Sequence, residues 1–78
     1  MDITFNNKSA STITTVEYQF TIEGKNITYI EYINDKSKLT DCVLRDETGC
    51  EINDDNNLGF DNIAALLEEI QAYVDAIV

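Results

Sequence analysis

Chemistry in this sequence would have to come from fifteen carboxylates and two thiols, because five bases and no histidine accompany them. Without histidine, the usual general base, proton shuttle and commonest metal ligand are missing together. Paired carboxylates hydrolyse substrates when a cleft sets their environments apart, and 78 residues leave little room for such a cleft. Cys42 and Cys50 are the remaining nucleophile candidates, and neither has an identifiable base. The expectation is a protein that is not an enzyme and has no catalytic residue.

Ligand sites are tested by spacing. Setting Asp54, Asn56 and Gly59 on positions 1, 3 and 6 of a calcium loop puts Leu58 on a ligand position and Ala65 where the closing Glu belongs. Starting at Asn53 instead places Leu58 where glycine is required. Two cysteines without histidine fall short of a closed zinc site. There is no glycine-rich phosphate loop. Tyr29 and Tyr32 suggest base stacking on a sheet, but single-strand binders pair aromatics with a basic groove, and the charge here has the opposite sign. No metal and no cofactor are expected.

The charge itself is informative. A net −10 argues against direct binding of nucleic acid or an anionic membrane, both of which need Lys and Arg. A basic protein or ribonucleoprotein is the expected partner. Residues 1–45 hold six acids and all five bases, 5 − 6 = −1. Residues 46–78 hold nine acids and no base, −9. The opening MDITFNNKSAST has no basic stretch followed by an apolar one. No run approaches the ~20 apolar residues that span a bilayer. The sequence therefore predicts a cytoplasmic protein, in which Cys42 and Cys50 are free thiols.

Those carboxylates need elements to position them. Leu, Ile, Val and Phe number 5 + 10 + 4 + 3 = 22 of 78 residues, above the ~20% below which acidic chains stay disordered. Over 15–23, Val16, Tyr18, Phe20 and Ile22 alternate with polar residues, the period of a half-buried strand. Gly24-Lys25 suits a two-residue II′ turn, returning a strand over 26–33. That register sets Ile22 against Ile27, Phe20 against Tyr29 and Val16 against Ile33. It also leaves Glu31 on the core face opposite Tyr18, with Ile30 and Tyr32 outward. A polar turn over 34–38 leads to a strand over 39–45. Asp46-Glu47-Thr48-Gly49 then turns into a short strand over 50–52 and pairs Cys50 with Arg45. The segments 3–5 and 11–14 have strand character, with Asn6-Asn7-Lys8 as a turn between them.

A loop rich in Asn and Asp occupies 53–60. Asp61 then caps a helix over 61–77 whose stripe is Ile63, Leu66, Leu67, Ile70, Tyr73, Val74 and Ile77. A sheet needing a cover and a stripe needing a floor predict one domain over 1–78 of α+β class. It is an antiparallel β-meander of four to five strands covered by one C-terminal α-helix. On that helix Glu68 and Asp75 share a side, with Ala65, Ala72 and Ala76 leaving them clear. Asp75 also sits near the negative end of the macrodipole, a placement that stability does not favour. The expected partner-binding residues are Glu47, Glu51, Asp54, Asp55, Glu68, Glu69 and Asp75, with Ile30 and Tyr32 as apolar anchors.

In its acidic stretch from Asp46 to Asp75 and its meander-plus-helix layout, the whole chain resembles the small phage-encoded inhibitors of bacterial defence, the anti-CRISPR and anti-restriction proteins. The resemblance lies in layout and charge and assigns no individual residue. It implies a DNA mimic in the cytoplasm of a bacterial host, monomeric or homodimeric. Its target would be a CRISPR effector or another nuclease, whose phosphate sites the carboxylates occupy. Two other classes share the same features: an immunity protein or antitoxin against a basic nuclease, and a phage structural or assembly protein.

Overall fold

The computed structural model describes residues 2–12, 14–33 and 39–77. It is an α+β fold with four strands, β1 (Ile3–Thr12), β2 (Thr15–Ile22), β3 (Lys25–Ile33) and β4 (Leu39–Asp46), followed by one helix, α1 (Ile63–Ile77). The strands form one antiparallel sheet in the order β1-β2-β3-β4. The turn expected over 34–38 lies outside the described residues.

Alternation in β2 and β3 places Tyr18, Phe20, Ile22, Ile27 and Tyr29 on one face. Leu44 of β4 and Ile52 join them, and Leu66, Ile70 and Val74 of α1 close over the top. Aromatic edges lock the layers. Tyr73 meets Phe20 at 5.6 Å and 86°, Phe5 lies 5.6 Å from Phe20, and Tyr18 lies 5.8 Å from Tyr29. All three separations fall in the range where tilted and edge-on ring pairs attract.

The β2–β3 turn forms one residue earlier than Gly24-Lys25. Ile22 pairs with Lys25, so Glu23-Gly24 is the loop, with φ of 51° and 76°. Positive φ at both central residues marks a type I′ turn, whose twist matches that of the strands. Glu23 accepts the left-handed conformation while tied to β1. Its amide donates to the Asp2 carbonyl at 3.0 Å, and its Oε1 accepts the Asp2 amide at 3.2 Å. Moving the turn slides the register by two residues. Phe20 now faces Ile27, Tyr18 faces Tyr29, and Val16 faces Glu31. A slip of two keeps every side chain on its expected face, where a slip of one would have inverted the sheet.

Other expectations are corrected. Asn6-Asn7-Lys8 is not a turn: β1 runs through it, with an irregularity between Phe5 and Asn7 where the extra residue bulges. Asn6 Nδ2 there donates to Thr21 Oγ1 at 2.8 Å. The segment over 50–52 is a single bridge, Arg45 to Glu51, so the sheet has four strands. Gly49 (φ 89°), whose amide bonds the Asp46 carbonyl, adds a bulge residue that moves Arg45's partner from Cys50 to Glu51. The helix is capped by Asn62 rather than Asp61: Asn62 Oδ1 accepts the Ala65 amide at 3.1 Å, and its carbonyl accepts the Leu66 amide. Ile77 is 43% exposed, so the last turn reaches past the packed side chains.

Candidate protein-binding surface

The acidic residues stand on three supports: the turn after β4, the loop leading to α1, and the exposed face of α1. Asp46 organises the first two. Its Oδ1 accepts the amides of Thr48 (2.9 Å) and Cys50 (3.0 Å) and the Thr48 hydroxyl (2.6 Å), and its Oδ2 accepts Asn56 Nδ2 at 3.2 Å. These donors, the Thr48 hydroxyl first and Asn56 next, hold its carboxyl at about 2, below the usual carboxylate range. A depressed folded value favours the folded loop above the unfolded pKa of 3.8, and that preference disappears as pH falls through about 2. Protection of the Thr48 and Cys50 amides, relative to their unstructured exchange rates at the same pH, is therefore expected to persist to about pH 3 and to fall toward pH 2. In Asp46→Ala that protection should be lost at every pH. Equal protection in the variant would show that the loop holds without this carboxylate.

Asn53 and Asn57 repeat the device. Asn53 Oδ1 accepts the amides of Asp55 and Asn56, both at 2.9 Å, and Asn57 Oδ1 accepts that of Gly59 at 2.9 Å. Asn56 Nδ2 also donates to the Glu51 carbonyl at 2.9 Å. With the backbone bonded to asparagine side chains, Glu47, Glu51, Asp54 and Asp55 are left exposed. Among the described residues, no group of three or more His, Cys, Asp or Glu side chains is placed to hold a metal ion.

On α1, Glu68, Glu69 and Asp75 are exposed, and so are Ala64, Ala65, Ala72 and Ala76 around them. Seven residues at 1.5 Å each set Glu68 and Asp75 about 10.5 Å apart along one side. Neither the first turn carries an acid nor the last turn a base, so the helix's own charges do not complement its dipole.

The sheet divides this set. Glu68, Glu69 and Asp75 lie on the helix side, while Ile30 and Tyr32 point from the opposite face, as their alternation with Tyr29 and Glu31 requires. Glu47 joins the second group, lining a groove with Ile30. Asp54, Asp55 and Glu51 occupy the connecting segment between β4 and α1. Ile30 is only 8% exposed and Tyr32 is half-buried, so neither projects as a free anchor.

Glu31, expected as an anomaly on the core face, is half-buried there and finds a hydrogen-bond partner. Its Oε2 accepts the Tyr29 hydroxyl at 3.0 Å. Burial raises the Tyr29 hydroxyl well above its ordinary value, Gln71's hydrogen bond opposes this, and Glu31's charge adds to it. Tyr18 is raised by burial and then by Glu31. Gln71 Nε2 also donates to Cys42 Sγ at 3.4 Å, which pins the helix to β4. Cys42 is half-buried, Cys50 is exposed, and both are free.

No described helix is long and apolar enough to cross a membrane. Comparison with known proteins finds no matching family, no matching curated protein and no matching solved structure.

Proposed function

We propose that the chain is a non-enzymatic inhibitor that binds a basic, nucleic-acid-handling enzyme complex and blocks it. Its carboxylates act as a DNA mimic, standing where the target expects phosphates. A CRISPR effector in the cytoplasm of a bacterial host is the first candidate target, and no direct contact with nucleic acid or membrane is involved. One observation supports this most: Glu47, Glu51, Asp54, Asp55, Asp61, Glu68, Glu69 and Asp75 are all exposed within a segment that contains no base. A domain needing only a solvated surface would gain from interspersed lysines, which add i,i+4 pairs to helices.

Such a surface works by competition. Complementary charge speeds encounter and makes it salt-sensitive. The test is capture of partners by the tagged protein from lysate of a bacterium carrying CRISPR and restriction systems. A DNA- or RNA-handling complex that is retained at low salt and released by high salt or by excess duplex DNA is the expected result. A complex that survives both treatments, or no complex at all, overturns the mimic.

A further inference from the structure

The face of the sheet opposite α1 carries a groove of about 450 Å3, lined by residues of β2, β3 and β4 and of the turn after β4. No described element covers it. Its floor includes Ile30, which is buried yet stands outside the core cluster under the helix. Thr28 and Gln19 form a wall, joined by a hydrogen bond of 2.9 Å from the Thr28 hydroxyl to Gln19 Oε1. Glu47 stands at the turn end, with Oε2 3.4 Å from Asn26 Nδ2. Arg45 is the groove's own cation, and its Nη1 donates to the Gly49 carbonyl at 3.0 Å. Glu17, Asp46 and Glu47 against Arg45 leave the lining at 1 − 3 = −2.

We propose that this groove receives an arginine side chain of the basic partner. The proposal rests on the reading of the acidic surface above and adds the subsite that anchors it. A mainly polar groove of net negative charge suits a long side chain with a cationic head, whose methylene stem lies along the Thr28–Gln19 wall while its head reaches Glu47. Phosphates and acidic side chains are repelled by the same lining. Arginine fits better than lysine because its planar guanidinium presents two parallel donors to a carboxylate and gives up hydration more readily. The groove thus links two features that sequence alone leaves apart, the acidic turn and the outward strand positions.

Hexa-arginine titrated into isotope-labelled protein tests this through amide chemical shifts. The amides of Gln19, Thr28 and Ile30 are expected to shift together and saturate. Glu47→Gln should weaken that binding about two- to five-fold, the scale of one exposed ion pair. Thr28→Arg, which supplies a guanidinium from the groove wall, should abolish those shifts. Shifts confined to α1 and the 53–60 loop would overturn the groove while preserving the acidic-surface reading. No shifts anywhere would overturn both. Hexa-lysine that saturated the same amides as tightly would overturn the assignment to arginine.

Discussion

Ile70→Ala is expected to cost about 2–5 kcal/mol of folding free energy, the range for deleting a fully buried aliphatic side chain. Ile70 has no exposed surface and belongs with Leu66 and Val74 to the row that closes the core. A domain of this length has about 4–12 kcal/mol in total, so the variant should unfold at much lower urea with an unchanged slope. Ile77→Ala is the matched control. Ile77 sits seven residues on, on the same helical side, but is 43% exposed. Its truncation should stay within about 0.5 kcal/mol, as for surface positions generally. Equal effects from the two variants would mean that α1 is not docked as described. The contrast bears on function too, because docking through Ile70 turns Glu68 and Glu69 outward.

Faces were legible in the sequence and ends were not, for a physical reason. A face is set by period, which many residues vote on together: Val16, Tyr18, Phe20 and Ile22 assign the core side of β2 whatever the turn does. An end is decided by one or two residues with nearly equal alternatives. Asp61 and Asn62 are comparable caps, and only the bond from the Ala65 amide selects Asn62. Gly24 fits either half of a two-residue turn, and types I′ and II′ both match the strand twist, so only the pairing of Ile22 with Lys25 places the loop at Glu23-Gly24. Asn6-Asn7-Lys8 has turn composition, yet pairing with β2 on both sides makes it a bulge. Ile77 obeys the stripe, but periodicity carries no information on where the packed floor stops. The candidate surface divides in the same way. Exposure of the acids followed from charge without partners. Their distribution over two faces depends on the hairpin and loop between β4 and α1, where Asp46, Asn53 and Asn56 bond the backbone in a pattern that composition does not specify. Burial of Ile30 on an outer face depends on its cross-strand neighbours Glu17 and Val43, and therefore on register.

Reversing the helix charges, with Glu68→Lys, Glu69→Lys and Asp75→Lys together, is expected to slow association with the captured target about 10–100-fold at low salt. The formal charge moves from −10 by +6 to −4. All three positions are exposed, so the core is untouched. Folding stability should hold or rise, because a lysine in place of Asp75 complements the helix C-terminus by about 0.3–1 kcal/mol at low salt. That opposition separates the two readings of the acidic surface. If the carboxylates only keep the domain solvated, the better-complemented helix should come with undiminished binding. If they compete for phosphate sites, binding falls while stability does not, and the difference shrinks as salt is raised. The matching loop variant, Asp54→Lys with Asp55→Lys, then locates the contact. A loss limited to the helix variant puts the target on the α1 side. A loss limited to the loop variant puts it on the segment between β4 and α1. Full inhibition by both variants would remove the helix and the loop from the contact, leaving Glu47 and the groove above Ile30 as the surface to test.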